Sequence, residues 1–211
     1  MNSLKGLLQS IQKFDSKNYW KKRYLVGGNS GEGSYGKLAD WKSHALNDYI
    51  ATRGIREVLE FGCGDGNQIL SLRVSSYIGT DPSPEAINVC ISRFRGDPTK
   101  SFLCLDPDAF QNNGALASEL VLSMEVILHL IEDERYEMYM HNLFSSAEKS
   151  VAIFNVATEE NNSKMGPHNR FRDHRKFVRE NYADWTQVEV KSAPEELGFA
   201  EHSAFFFYER G

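Results

Sequence analysis

The sequence predicts an α/β protein: a doubly wound, mostly parallel sheet with helices on both faces, in three layers. Two observations carry that expectation. From about residue 55 onward, short apolar runs alternate with helical patterns, the rhythm of strand–helix–strand units. The first of those runs, Val58-Leu59-Glu60-Phe61, breaks into Gly62-Cys63-Gly64-Asp65-Gly66. Alternate glycines let a tight turn bring its backbone close to a ligand without obstruction by Cβ atoms.

The elements follow in order. Residues 4–14 suit a short helix, residues 19–24 are aromatic and basic, and residues 27–36 form a flexible Gly/Ser stretch. Residues 38–54 read as a helix, with Leu38, Trp41, Ala45, Leu46 and Tyr49 at helical spacing and Gly54 beyond its end. A strand at 56–62 and a helix at 67–73 come next, then a strand at 76–81. The helix at 83–96 is opened by Ser83, with Glu85 close behind. Strands at 101–106 and 119–125 precede a long helix over 129–147 and a strand at 150–156. A polar, basic stretch leads into a helix at 175–182. Two final strands, 185–193 and 202–210, are expected as antiparallel neighbours, the first half-buried through Val188 and Val190. This divides the chain into an N-terminal helical cap with a Gly/Ser-rich segment, 1–54, and a core, 55–211, with an insertion at about 158–176.

Composition bounds the partners. With 211 residues, 41% hydrophobic and 25% charged, the chain supports one sizeable core and shows no disordered bias. A formal net charge of -5 argues against a broad basic face, so no nucleic acid is expected. The apolar run around Glu125 and His129 is too short to span a bilayer, so no membrane is expected. Cys63, Cys90 and Cys104 match no zinc spacing and read as small buried hydrophobes of a cytoplasmic protein. His168, Asp173 and His174 have no specific metal spacing either, and no metal is expected.

The glycine turn narrows the ligand. A dinucleotide site uses G-x-G-x-x-G, but Asn67 stands at the third glycine position here. Asp81 ends the second strand, 21 residues after Glu60, where a carboxylate can accept hydrogen bonds from ribose hydroxyls. In these residues the sequence resembles the class I S-adenosylmethionine-dependent methyltransferases, firmly over 56–156 and loosely elsewhere. The resemblance implies a Rossmann-like sheet of seven strands with an antiparallel C-terminal strand, and S-adenosyl-L-methionine as cofactor. It places Gly62, Cys63, Gly64 and Gly66 around the methionine part, Glu60 near its amino group and Asp81 on the ribose. Asp106 falls to the adenine amino group, with Asp108 left open, and Pro82 and Leu105 meet the adenine ring. Met124 and Glu125 become cofactor neighbours at the end of the fourth strand.

The run from Glu125 to Asp133 resembles small bacterial methyltransferases that modify small metabolites or sugars. Candidate catalytic residues are His129, His168 and Glu125. His129 either removes a proton from a hydroxyl acceptor, with a pKa near neutral, or packs at the start of a helix. The N-terminal aromatics and glycines suggest a lid over the site, with Tyr24 and Tyr35 facing the substrate beside Tyr19 and Trp20. Arg170, Arg172 and His174 suit an acceptor bearing carboxylate or phosphate. The expected function is methylation of a small molecule, by O-methylation of a sugar or anionic metabolite, in a monomer or homodimer. Methylation of protein or RNA, and an inactive partner subunit with the same fold, are the competing readings.

Overall fold

The computed structural model describes residues 14–162, 165–197 and 203–211. The helix expected at 4–14 lies almost wholly outside them. Helix α1, Ser16–Leu25, starts at Asp15, whose side chain accepts the Asn18 N–H and so satisfies one free donor of the first turn. Helix α2, Gly36–Arg53, ends on Gly54 in the left-handed conformation, φ 64°. The core then runs β1 Glu57–Phe61, β2 Ser76–Asp81, α3 Pro84–Arg93, β3 Lys100–Cys104, β4 Ser118–Met124 and α4 Asp133–Ser145. It closes with β5 Ala147–Val156, α5 His174–Asn181, β6 Trp185–Ser192 and β7 Ser203–Arg210.

The seven strands form one sheet in the order β3-β2-β1-β4-β5-β7-β6. β7 runs antiparallel to both its neighbours, and every other pairing is parallel. The chain lays β2 and β3 on one side of β1, then returns to place β4 on the other. The order therefore reverses between β1 and β4, where their carboxyl ends leave a crevice.

The inner strands are buried on both faces, and their residues alternate between two cores. Leu120, Leu122, Phe154, Phe205 and Phe207 pack with Leu38, Leu46 and Tyr49 of α2. Val121, Ile153, Phe206 and Tyr208 pack with Tyr139, Met140 and Phe144 of α4 and Val178 of α5. The expected helix at 83–96 is α3, capped by Ser83, whose hydroxyl accepts the Ala86 N–H at 3.2 Å.

The expected helix at 67–73 does not form. Only a single 3₁₀ turn, Asn67–Ile69, stands there. β1 ends at residue 61 and β2 begins at 76, so the glycine turn consumes much of the crossover. The face such a helix would cover is already filled by α2, which packs Leu38, Ala45 and Leu46 against Ile69 and Leu72. α2 also satisfies the non-helical backbone. Ser43 Oγ donates to the Gln68 carbonyl, Asn47 Nδ2 donates to that of Ser71, and Asn47 Oδ1 accepts the Arg73 N–H.

Three smaller expectations are also corrected. The helix expected from residue 129 begins at Asp133, after a 3₁₀ turn at Ile127–His129. Val188 and Val190 are both exposed, because β6 is an edge strand whose register slips between Gln187 and Glu189; within it only Trp185 is buried. Cys63 and Cys90 are buried, whereas Cys104, at the end of the other edge strand, is exposed. Among the described residues no helix is long and apolar enough to cross a membrane.

Core and edge should respond differently to truncation. Leu122→Ala, at a fully buried position of the central sheet, is expected to cost about 2–5 kcal/mol in urea unfolding. Val190→Ala on the exposed edge should stay within about 0.5 kcal/mol.

Candidate active site: a cleft at the carboxyl ends of β1 and β4

A cleft of about 860 Å³, counted out to open solvent, lies at the carboxyl ends of β1, β2 and β4. Its base is the glycine turn. Gly62, Gly64 and Gly66 have φ of 80°, 57° and 72°, in the left-handed region that side chains avoid. A Cβ at Gly62 would lie closer than 3.0 Å to the Val126 side chain, and one at Gly64 equally close to Ser30 and Tyr24. The turn is pinned from below by the Thr80 carbonyl, which accepts the N–H groups of Gly62 and Cys63 at 2.7 and 2.9 Å.

Asp81 lies at the end of β2 and lines the cleft. Its carboxylate accepts the Gly64 N–H at 3.1 Å and the Ser83 N–H at 2.9 Å. Burial pushes its pKa up to about 6 despite those two bonds. Glu60 is buried behind the turn and does not line the cleft. One oxygen accepts the Tyr77 hydroxyl at 2.5 Å; the other, Oε1, has no partner among the described residues. Burial lifts this carboxyl to about 7.

The other walls come from β3, β4 and α1. Pro82 and Leu105 give apolar surface on one side, and Met124 closes the end of β4. Glu125 follows in a left-handed conformation, φ 59°, unusual for a side-chain-bearing residue. Its Oε2 lies 2.6 Å from Lys42 Nζ. Lys42 is fully buried, and it also donates to Gln68 Oε1.

α1 covers the cleft with Ser16, Lys17, Trp20 and Tyr24. Ser16 binds Glu132 through its N–H and hydroxyl, at 3.0 and 2.7 Å. Lys17 binds Asp106 at 3.0 Å and also pairs with Asp108. At its other end, the Tyr24 hydroxyl meets Ser30 Oγ at 2.7 Å. The following loop is tied to the glycine turn through Asp65, which accepts the Ser30 N–H at 3.3 Å and the Tyr35 hydroxyl.

His129 lines the cleft beside Trp20, the two rings 4.7 Å apart and edge to face. Its Nδ1 lies 3.0 Å from the His168 carbonyl. A carbonyl only accepts, so Nδ1 carries the proton and Nε2 keeps a lone pair. Burial lowers this imidazole to about 4, well below the near-neutral value expected from the sequence.

Several sequence-derived candidates lie elsewhere. His168 does not line the cleft; it stacks between Tyr19 and His129, and its backbone orients the latter. Arg170 donates to the Ile131 carbonyl at 2.9 Å and pairs with Asp133 at 2.8 Å. Arg172 donates to the Leu130 and Ile131 carbonyls and to Asp133. Both guanidiniums thus tie the insertion to the loop after β4, because that loop leaves carbonyls free that no strand or helix takes up. His174 is fully buried against Phe206, with burial lowering it to about 3. These three correct the expectation of an anion-binding face. Tyr35, held by Asp65, does not line the cleft, and neither do Asp106, Cys63 and Gly66. Cys63 and Gly66 instead pack beneath the turn, against Gly79 and Phe94 respectively.

Sequence reasoning missed Lys42, Asp65 and Ser30. Lys42 carried a signal: it falls four residues after Leu38 and three before Ala45, on the apolar stripe of its helix.

The buried acid of β1 makes stability depend on pH. A carboxyl raised in the folded state stabilises below its unfolded value and loses that contribution as pH rises through the folded value. Glu60 should therefore weaken the ligand-free protein between about pH 4.5 and about 7. Glu60→Gln is expected to raise the thermal midpoint at about pH 8, with the gain vanishing near pH 4; differential scanning calorimetry across that range checks it.

Known proteins share this fold. Residues 58–149 match a family model described as a methyltransferase domain. The structure of the N-methyltransferase NodS from Bradyrhizobium japonicum WM9, in complex with S-adenosyl-L-homocysteine, superposes with a TM-score of 0.72 at 14% identity, covering 93% of this chain and 99% of that one. Magnesium protoporphyrin IX methyltransferase from Synechocystis PCC 6803 with bound SAM gives 0.65 at 14%, over 96% and 100%. Phosphoethanolamine N-methyltransferase 1 from Haemonchus contortus, in complex with phosphoethanolamine and S-adenosylhomocysteine, gives 0.67 at 12%, over 92% of this chain and 48% of that one. No curated protein sequence matches.

Proposed function

We propose that the chain is a class I S-adenosylmethionine-dependent methyltransferase, a reading supported by the methyltransferase-domain match over residues 58–149 and by the fold, and that it transfers the methyl group of S-adenosylmethionine to a hydroxyl of a small molecule. The observation that carries this reading is the pairing of a Cβ-free turn with Asp81 in one cleft. Gly62 and Gly64 both line the cleft, so a ligand there meets bare backbone. Asp81 uses one hydrogen bond on each oxygen and retains lone pairs for a diol. Pro82 and Leu105 offer the apolar surface a purine needs. The residues present fit the cofactor, which when bound supplies an electrophilic methyl on a good leaving group.

The remaining work falls to the chain. α1 covers the cleft, fixed at one end to Glu132, Asp106 and Asp108 and at the other to Ser30, and so keeps water out. That cover also favours a small acceptor over a macromolecule. Neutral His129, with Nε2 as its accepting nitrogen, is placed to take a hydroxyl proton. Because Arg170 and Arg172 are tied to the β4–α4 loop, an uncharged sugar-like or other hydroxylated acceptor suits the site better than an anionic one.

Calorimetric titration tests the cofactor directly. Saturable binding of S-adenosylmethionine without NADH binding is expected; folded protein that binds neither would overturn the reading. Asp81→Ala should weaken S-adenosylmethionine binding about tenfold to a hundredfold, the worth of hydrogen bonds to a charged acceptor. If His129 is the base, His129→Asn lowers kcat by about 10²–10⁴ with little change in S-adenosylhomocysteine affinity. The wild-type rate should then show its acid limb near pH 4 and no limb at 6.5. Equal loss of binding and rate would leave His129 a packing residue.

A further inference from the structure

Lys42 is a lysine with no exposed surface, set in the apolar stripe of α2 and lying 4.9 Å over the Phe154 ring. A buried ammonium persists only where its partners compensate the lost water. Its partners are Gln68 Oε1 and Glu125 Oε2, and its charge also acts on Glu60. Of the two carboxyl groups near it, Glu125 is the one it pairs with directly. Glu60 Oε1 has no partner among the described residues, so this corner keeps an unused hydrogen-bond acceptor.

Glu125 lines the cleft, whereas Lys42 does not. The backbone of Glu125 is held in the left-handed region, with its N–H given to the Phe154 carbonyl at 2.9 Å. The carboxylate lies so close beneath Gly33 that a Cβ there would overlap it. Ser30, Ser34, Gly64 and Gln68 line the same polar end of the cleft. Strain, a buried counter-charge and a close backbone approach all converge on the placement of one carboxylate.

We propose that Lys42 is a positioning residue, holding the Glu125 carboxylate so that its other oxygen receives the ammonium of an amino-acid arm entering the cleft. The inference rests on the cofactor reading above and adds the pair that recognises the arm's positive end. Lys42 acts through Glu125 and touches no ligand itself.

The test compares two ligands of the intact chain by calorimetry. S-adenosylhomocysteine carries the amino-acid arm; 5′-methylthioadenosine has the same nucleoside and a thioether but lacks it. Glu125→Gln and Lys42→Met are each expected to lose about tenfold to a hundredfold in S-adenosylhomocysteine affinity. Binding of 5′-methylthioadenosine should stay within about twofold, which also reports that the variant is folded. If the ratio of the two affinities in Glu125→Gln equals that of wild type, the proposal is overturned while the cofactor reading stands. Should Lys42→Met fail to fold, Glu125→Gln decides alone. Wild-type protein that binds neither ligand overturns both readings together.

Discussion

The backbone of the glycine turn lies where it does because residues 62, 64 and 66 carry no Cβ, and the rest of the cleft is arranged against it. Val126 from the segment after β4, Ser30 and Tyr24 from the covering elements, and Phe94 beyond α3 each occupy space a side chain on the turn would need. The turn is held from below by the Thr80 carbonyl and from the side by Asp81. One packing constraint thus brings four parts of the chain to the reversal point of the sheet. It also shortens the first crossover, and α2 replaces the missing helix with its own side chains.

The cleft is costly in charge. Glu60, Asp81 and Lys42 are buried ionisable groups, each with its charged form disfavoured by lost solvation. Such groups rarely serve stability, and they cluster where a ligand supplies the missing partner. Elsewhere the same chemistry is used for cohesion. Glu119 accepts the Arg56 N–H and pairs with Lys149, and its pKa falls to about 2. The opposite shifts separate a carboxylate whose bonds outweigh its lost solvation from two whose burial outweighs theirs.

Charge on the sequence did not show where charge is used. Arg170, Arg172 and His174 look like an anion site because they are basic and adjacent, yet two tie up loop carbonyls and the third packs on Phe206. The stretch follows β5, and the carbonyls it satisfies follow β4, so no local pattern reveals the match. His129 was singled out through the resemblance of the run from Glu125 to Asp133, and it lines the cleft. Its low basicity was not legible, since that comes from burial beneath Trp20 and against His168. Lys42 was visible as an interruption of an apolar stripe, though its partners, Gln68 and Glu125, lie 26 and 83 residues away.

By itself the sequence determined the strands, their parallel rhythm, the turn and the acid that ends β2. Each of these is set locally, by apolar periodicity, by glycine's freedom at positive φ, or by a residue's place at a strand end. Tertiary structure alone decided which helix covers which face, why residues 67–73 need not be helical, and which basic groups face the cleft. Those outcomes depend on competition for space and for hydrogen-bond partners between segments far apart in the chain, and that competition is settled only when the sheet assembles.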